Sequence, residues 1–264
     1  MGERYDLTIN DMVWSYSRIT SFRECPYRWF LTYLYYDKNG RPLEKRSSFF
    51  SEFGTYIHSI LQLYLTGLLS KNELSTYYVL HFAEQVRSPP PNSKVRNNYF
   101  TQGFEYFGHF DYPEREVLGV EQKMNFEFAG RQWIGYIDVC SRDDDNRLII
   151  TDHKSRTLKP RSNRKKPTKT DKELDDYLRQ LYVYAAAVKE SSGVYPDILE
   201  FNCFRSNIFI REPFKPERLH EVEDWANTEI ESIITNSDWS ARPDFWRCSY
   251  LCDVCEHCEY RNLM

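Results

Sequence analysis

The stretch from Trp133 to Arg156 places acidic side chains where a buried sheet would otherwise take apolar ones. Its alternation predicts two strands, Trp133–Cys140 and Arg147–Asp152, joined by a polar turn rich in Asp and Asn. Asp138 lies within the first strand and Asp152 ends the second. Two buried carboxylates at neighbouring strand ends are costly unless a positive charge lies between them. The stretch therefore predicts a divalent metal site.

The rest of the chain predicts an α/β (α+β) fold in which helices flank a mixed sheet. Two short helices are expected within residues 14–36, with Ser17 or Thr20 as a cap and Pro26 in the first turn of the second helix. Periodicity predicts helices over about Phe53–Leu69, 72–87, 98–110, Leu174–Lys189 and 215–237, and further strands over Val117–Phe128, Ile198–Phe204 and Ile208–Phe214.

We expect one compact domain with three parts. Residues 1–115 form a helical N-terminal part, residues 116–214 a catalytic core, and residues 215–264 a helix with a cysteine-rich tail. The length of 264 residues and the 20 Tyr, 17 Phe and 6 Trp are sufficient for one sizeable core.

Composition indicates more about where the protein is located in the cell than about what it binds. The chain has no basic-then-apolar signal and no apolar run near the roughly 20 residues that span a bilayer. We therefore expect a cytoplasmic protein without a membrane partner. The formal net charge of −4 neither requires nor excludes nucleic acid, so local charge has to decide.

The cysteines point to a metal rather than to disulfides. Four of the seven lie within the last 17 residues: Cys248, Cys252, Cys255 and Cys258. In a reducing compartment, cysteines this closely spaced typically bind metal. Cys140 and Cys203 lie on predicted strands and are expected to be buried thiols.

The Asp152-His153-Lys154 segment adds a cation to the acids. On an extended strand, Lys154 faces the same side as Asp152, because side chains two residues apart share a face. A lysine beside a metal-bound phosphodiester can position water or offset charge in the transition state. Alone, an Asp-x-Lys segment is mostly a chance occurrence.

Several motifs occur in one order and together resemble a known family. They are Gly54-Thr-Tyr-Ile-His58, Gly135-Tyr-Ile-Asp138, Asp152-His-Lys154 and Gln180-Leu-Tyr-Val-Tyr184, preceded by Ser17…Phe22…Cys25-Pro26-Tyr27-Arg28. From about residue 15 onward, the chain resembles the RecB-like branch of the PD-(D/E)XK nuclease superfamily. That resemblance implies a restriction-endonuclease-like sheet and Mg²⁺- or Mn²⁺-dependent hydrolysis of DNA.

The same resemblance implies roles for individual residues. His58, Asp138 and Asp152 would be metal ligands together with the carbonyl of His153, and Glu121 a secondary acidic ligand. Lys154 would be the catalytic lysine. Gln180 and Tyr184, four apart on one helical face, would hold that lysine or contact DNA.

The chain also resembles the iron–sulfur members of this branch, the CRISPR-adaptation-type and AddB-type exonucleases. These pair an N-terminal Cys-Pro cysteine, here Cys25, with three C-terminal cysteines around a [4Fe–4S] cluster. The chain departs from that pattern, because the last cysteine would fall at Met264 whereas Cys248 and Cys252 are additional. Either an upstream cysteine completes the cluster, or the tail alone holds Zn²⁺ through four thiolates.

A basic loop between Lys154 and Gln180 is the predicted DNA contact. Its cations include Arg161, Arg164, Lys165, Lys166 and Lys169, and they would screen phosphate charge beside the scissile strand. The alternative is a solvated loop without a ligand. Exposed aromatic side chains near the site could stack on unpaired bases.

The leading hypothesis is a metal-dependent DNA nuclease, and an exonuclease acting on single strands or DNA ends is favoured. The alternative on the same fold is a catalytically silent DNA-binding or scaffold protein with recombination, replication or CRISPR-type partners. A zinc-binding interaction module with incidental acids would leave the ordered motifs unexplained.

Overall fold

A five-stranded mixed sheet organises the computed structural model, which describes residues 9–263. The strands are adjacent in chain order: β1 Glu116–Phe128, β2 Arg131–Arg142, β3 Leu148–His153, β4 Ile198–Cys203 and β5 Ile208–Pro213. Strands β1–β3 form an antiparallel meander, β4 pairs with β3 in parallel, and β5 is antiparallel to β4.

Eight α-helices surround the sheet within these residues. They are α1 Tyr16–Glu24, α2 Pro26–Tyr33, α3 Phe49–Leu65, α4 Leu74–Gln85, α5 Ser93–Gly108, α6 Lys169–Ser192, α7 Pro216–Ile234 and α8 Phe245–Tyr250. Short 3₁₀ turns occur at Lys71–Glu73, Cys255–His257 and Glu259–Leu263. The predicted fold class is confirmed. None of the described helices combines the length and the apolar character that a bilayer crossing would require.

Helix α6 is the crossover between the parallel strands β3 and β4 and packs across the sheet. Thr168 and Asp171 form a capping box at its start, and Gly193 closes it in the left-handed conformation with φ 80°. The apolar positions Leu174, Leu178 and Leu181 are buried against the sheet. Gln180 and Tyr184, in the middle of α6, lie next to Lys154 and the acidic strand ends.

Two apolar clusters form the interior. The larger one joins α1 and α2 to the sheet, α6 and α7, through residues such as Trp29, Trp133 and Ile233. The second lies among α3, α4 and α5, around Phe53 and Tyr78. The first cluster thus draws on all three parts of the chain that the sequence distinguished.

Strand β4 carries a buried acid at its centre. Glu200 is fully buried and accepts hydrogen bonds from Arg115 at 2.7 and 2.9 Å, Arg211 at 2.6 Å and Thr151 at 2.8 Å. Paired in this way, the carboxylate avoids the cost of an isolated buried charge.

Several predicted boundaries are wrong in detail. Ser15, not Ser17 or Thr20, caps α1, and the thiol of Cys25 caps α2, where Pro26 does occupy the first turn. Helix α3 begins at Phe49 because Ser48 and Ser51 form a capping box ahead of its apolar stripe. Helix α6 begins five residues before its predicted start, which shortens the basic loop.

Candidate active site and metal centre

Four elements bring the predicted metal ligands together. Glu121 lies on β1, Asp138 on β2 and Asp152 on β3, and α3 faces them with His58 at the edge of its buried stripe. Glu121 has φ 49°, in the left-handed region that a residue with a side chain rarely adopts. Such strain is typical of functional positions, and here it accompanies a side chain that points at His58.

Three of these side chains form a compact group. Nδ1 of His58 lies 3.4 Å from Oε1 of Glu121 and 3.7 Å from Oδ2 of Asp138. One ligand atom from each residue falls within 4.8 Å of the other two. A single cation could therefore contact all three.

The backbone at the end of β3 closes this group. Oδ2 of Asp138 accepts a hydrogen bond of 2.6 Å from the amide of His153, and the carbonyl of His153 lies 3.1 Å from Nε2 of His58. The imidazole of His153 contacts Nδ2 of Asn202 at 3.2 Å and packs edge-on against the ring of His58, with ring centres 5.3 Å apart. The carbonyl predicted as a ligand is thus at the site, and the ring packs against His58.

Asp152 and Lys154 adjoin the group on the side of α6. Nζ of Lys154 lies 2.8 Å from Oδ2 of Asp152 and donates a hydrogen bond of 2.7 Å to Oε1 of Gln180. Nε2 of Gln180 in turn donates to the hydroxyl of Tyr184 at 3.0 Å. Lysine, glutamine and tyrosine therefore form one connected chain along α6.

Gly135 leaves space for Tyr184 beneath the site. A β-carbon at Gly135 would lie 2.7 Å from a ring atom of Tyr184, closer than packed carbons approach. The glycine of the Gly-x-x-Asp motif therefore allows α6 to pack tightly on β2 beside Asp138.

Burial and like charge raise the pKa of Asp138 to about 7, with the charge of Asp152 as the main neighbour. Burial would lower the pKa of His58, but its hydrogen bond with Glu121 and the charges of Asp138 and Asp152 outweigh that effect and raise the pKa to about 9. The cavity around these residues thus favours additional positive charge.

His153 behaves in the opposite way. Complete burial, with the nearby charges of His58 and Lys154, lowers the pKa of its ring well below the ordinary value. A neutral ring accepts a hydrogen bond from Asn202 at Nδ1. The ring therefore supports the strand end from the core.

The donor set fits a hard divalent cation. Oxygen donors predominate, one imidazole completes the group, and Mg²⁺ and Mn²⁺ prefer such ligands. Oδ2 of Asp152 is buried without a hydrogen bond of good geometry, despite the nearby ammonium of Lys154. Buried polar atoms without a partner are uncommon, and a cation next to Asp138 would supply one.

The cysteine tail returns to the N-terminal helices. Cys25, at the junction of α1 and α2, lines one pocket with Cys248, Cys252, Cys255 and Cys258. The thiol of Cys25 accepts hydrogen bonds of 3.4 Å from the amides of Arg28 and Arg242. Cys25, near the N-terminus, and the four cysteines of the C-terminal tail thus line the same pocket.

The tail cysteines share one environment. Burial raises the pKa of Cys258, and Cys25, Cys248 and Cys255 are close enough to raise it further. Burial also raises the pKa of Cys252 to about 11, and Cys255 contributes to that shift. Cys252 and Cys255 pack in one apolar cluster with Leu31 and Val254, and Cys258 lies against it. These surroundings therefore do not separate Cys252 from the other cysteines.

The spacing of the sulfurs bears on the metal. In tetrahedral Zn–thiolate sites, Zn–S distances of about 2.3 Å place the sulfurs roughly 3.8 Å apart. Among residues 9–263, no three cysteine sulfurs lie within 4.8 Å of one another. A four-iron cluster separates its thiolates more widely, because each binds a different iron.

Charged residues that sequence reasoning missed fasten the tail in place. Arg28 donates to Asp253 at 2.9 Å, and Arg46 donates to the carbonyls of Cys248, Ser249 and Cys252 at 2.7–3.1 Å. These partners lie more than 200 residues apart in the chain, so no local pattern indicates them.

The basic loop is divided between two environments. Arg161 is engaged in ion pairs with Glu212 at 3.0 Å and Asp175 at 2.7 Å. The cations that follow are exposed: Arg164, Lys165, Lys166 and Lys169. Tyr136, 51 % exposed, lines an open groove with His58 and Glu121 and is an aromatic residue at the site that the sequence did not single out.

Comparison with known proteins places this geometry in context. The family model described as "PD-(D/E)XK nuclease superfamily" matches residues 13–263. A crystal structure from Eubacterium rectale, named "Putative exonuclease", is 17% identical with a TM-score of 0.50 and aligns over 97% of this chain and 91% of that one. This likeness supports the fold.

A second structure, named SSO0001, is 17% identical with a TM-score of 0.30, covering 72% of this chain and 80% of its own. The comparison with curated proteins found no match.

Proposed function

The chain belongs to the PD-(D/E)XK nuclease superfamily, and we propose that it is a deoxyribonuclease that hydrolyses phosphodiester bonds with Mg²⁺ or Mn²⁺. The observation that carries this proposal is the placement of the Lys154 ammonium beside the carboxylate of Asp152, which neighbours the group of Asp138, His58 and Glu121. Acid, imidazole and lysine groups of this kind are those that phosphodiester hydrolysis needs.

His58, Glu121 and Asp138 would hold the metal, with Asp152 and the carbonyl of His153 as neighbouring ligands. When bound, such an ion polarises a phosphate oxygen and lowers the pKa of water. The site is negatively charged, and burial raises the pKa of Asp138. A bound cation that replaces the protons would therefore stabilise the site.

Lys154 supplies the positive charge that the protein itself contributes. Its ammonium is held by Gln180 and lies 5.8 Å from the ring centres of Tyr177 and Phe201. From this position it can donate to an attacking water or to a phosphate oxygen and offset the charge that develops there. Gln180 and Tyr184 act as positioning residues, because they fix the ammonium without reaching the reacting atoms.

We propose that the substrate is single-stranded DNA or a DNA end and that the enzyme is an exonuclease. An open groove beside His58 and Glu121, with Tyr136 on its rim, supports this choice. An exposed ring can stack on an unpaired base, whereas a duplex keeps its bases stacked internally.

We further propose a [4Fe–4S] cluster held by Cys25, Cys248, Cys255 and Cys258, in preference to zinc. The charges of Cys25, Cys248 and Cys255 that act on Cys258 support this set of four. Among residues 9–263 no three cysteine sulfurs lie within 4.8 Å of one another, which fits a four-iron cluster better than one zinc ion. Cys248 would then take the place of the final cysteine that iron–sulfur relatives carry. The cluster would fasten the tail to α1 and α2.

End-labelled linear and circular DNA, each single- and double-stranded, tests the proposal in the presence of Mg²⁺, Mn²⁺ or EDTA. We expect linear single strands to be shortened with Mn²⁺ or Mg²⁺, and EDTA or the Asp152→Asn substitution to stop the reaction. If the metal-loaded protein binds DNA but leaves every substrate intact, the silent scaffold is correct instead.

A further inference from the structure

Helix α8 exposes two large aromatic side chains. Phe245 is 65 % exposed and Trp246 is 46 % exposed. The other five tryptophans of the chain are buried or half-buried within the described residues. Asp244 caps this helix, and Cys248 within it lines the cysteine pocket. This short helix thus presents two aromatic rings to solvent.

A continuous series of contacts connects Trp246 to the end of β3. Arg205 donates a hydrogen bond of 3.3 Å to the carbonyl of Ser155, next to Lys154, and its guanidinium lies 3.8 Å from the ring centre of Tyr99. Tyr99 contacts Phe50 with ring centres 5.3 Å apart, and Phe50 lies 6.0 Å from Trp246. This series links Trp246, through packed side chains, to the residue that follows Lys154.

An open groove lies between α1, the start of α6 and α8, and its lining includes Arg247 but not the neighbouring Trp246. Tyr177 lines it, close to Lys154, and its hydroxyl accepts a hydrogen bond of 2.8 Å from Arg156. Five arginines line the groove against four carboxylates. The arginines are Arg23, Arg156, Arg179, Arg242 and Arg247, and the carboxylates are Glu24, Glu173, Asp176 and Asp244.

We propose that this groove binds single-stranded DNA on its way to the active site, with phosphates near Arg247 and Arg156 and, next to Arg247 on α8, a base stacked on Trp246. Exposed aromatic rings beside arginines are the combination that binds unpaired strands. The inference rests on the proposed function, since it names the substrate path of the same site. It also gives the cysteine tail a role in binding, because Cys248 lies on the helix that carries Trp246.

Fluorescence anisotropy with a labelled oligo-dT of about 20 nucleotides tests the proposal in the Lys154→Ala background, which prevents cleavage. Stacking on one aromatic residue contributes about 1–3 kcal/mol per base. Trp246→Ala should therefore raise Kd roughly tenfold, while Trp246→Phe should stay within about threefold of the parent. Arg247→Gln should reduce the slope of log Kd against log salt by about 0.7.

Tyr195→Ala is the matched control, because Tyr195 is exposed beyond the far end of α6 and stacks on Phe214. Its Kd should equal that of the parent. Thermal unfolding of each variant identifies a loss of binding that results from misfolding. An unchanged Kd in a folded Trp246→Ala variant overturns the proposal.

Intrinsic fluorescence gives a second readout that needs no cleavage. Oligo-dT should quench the parent protein, and most of that quenching should vanish in Trp246→Phe. Cleavage of bis(p-nitrophenyl) phosphate by Trp246→Ala, with Lys154 restored, should match that of the wild type. If neither protein cleaves this ester and the wild type also fails to shorten end-labelled single-stranded DNA with Mn²⁺, the proposed activity is wrong while the binding result stands. Equal quenching in the parent and in Trp246→Phe would place the strand elsewhere.

Discussion

Lys154 and Gln180 are joined by a hydrogen bond of 2.7 Å between the ammonium of one and the amide oxygen of the other. Because Gln180 also donates to Tyr184, the lysine is fixed by α6 as well as by its own strand. The position of the reactive charge therefore depends on how α6 packs on β2.

Substituting each member of this pair in turn should distinguish the effect of the lysine charge from the effect of its position. Lys154→Ala should lower the cleavage rate at least 10²-fold, in the range found when one transition-state donor is removed. Gln180→Ala should lower it by about tenfold, because the ammonium remains but has no anchor. Calorimetric Mn²⁺ titration should give similar affinities for the wild type and both variants. A collapse of Mn²⁺ affinity in Lys154→Ala would show that the lysine helps to build the metal site.

Gly135 offers a test of the packing beneath the pair. Gly135→Ala should destabilise the protein by about 1–3 kcal/mol and slow cleavage, because the new methyl group would displace Tyr184. Gly54→Ala is the matched control, since nothing lies within 4 Å of its added carbon and it occupies the interior of α3. It should stabilise the protein by about 0.5–1 kcal/mol. Equal effects of the two substitutions in urea unfolding would contradict the close approach to Tyr184.

The raised pKa of Asp138 predicts how the metal-free protein responds to pH. Asp138 has a pKa of about 7 in the folded state and an ordinary value in the unfolded state. Between these two pH values, Asp138 is therefore more protonated in the folded state than in the unfolded state. The contribution of Asp138 to stability in EDTA should thus be greatest below about pH 4 and fall as the pH rises to 7. Asp138→Asn should remove that slope and gain on the order of 2–4 kcal/mol relative to wild type at pH 7.

Asp144→Asn, in the exposed turn between β2 and β3, is the control for this pH series. It should follow the wild-type curve. Thermal melts between pH 4 and 8 would contradict the assignment if Asp138→Asn kept the wild-type slope.

The cysteines predict an asymmetry between two neighbours. Protein purified without oxygen should absorb broadly near ~400 nm and contain about four irons per chain. Cys248→Ser should lose this absorbance and the iron, whereas Cys252→Ser should retain both, because the proposed set takes Cys248 and not Cys252 as its fourth ligand. Elemental analysis decides the case: one zinc per chain, absent from Cys252→Ser but present in Cys25→Ser, would favour the zinc tail.

The exposed part of the basic loop makes a separate electrostatic prediction. Replacing Arg164, Lys165 and Lys166 together by Gln should flatten the salt dependence of single-strand binding by roughly 0.7 for each phosphate that is no longer neutralised. Arg161→Gln should instead lower stability, because its guanidinium joins Glu212 and Asp175. A salt slope unaffected by the triple substitution would mean that the loop is only solvated.

Local pattern predicted the sheet well, because strand alternation and the turn residues of β1–β3 lie close together in the chain. It predicted the order of the acids and the lysine for the same reason. It did not predict the left-handed backbone at Glu121, because no neighbouring residue type indicates that conformation, which depends on where α3 presents His58. Helix caps were also missed where a thiol, at Cys25, took the role usual for Ser or Asp.

Interactions across long separations lay beyond sequence reasoning altogether. The buried Glu200 resembles an ordinary strand acid until Arg115 and Arg211 are placed around it. The same holds for Arg46, whose carbonyl partners belong to the tail. Only tertiary packing shows which charged side chains are satisfied within the fold and which face a ligand.

Because Cys25 packs against the C-terminal tail, the two parts of the cysteine pocket are synthesised at different times. Its partners, from Arg242 to Cys258, leave the ribosome more than two hundred residues after it does. Every strand of the nuclease core is therefore already translated before the thiols can gather. The cysteine set is completed last, so a chain interrupted before α8 would contain the metal ligands and the lysine but not the helix that carries Trp246.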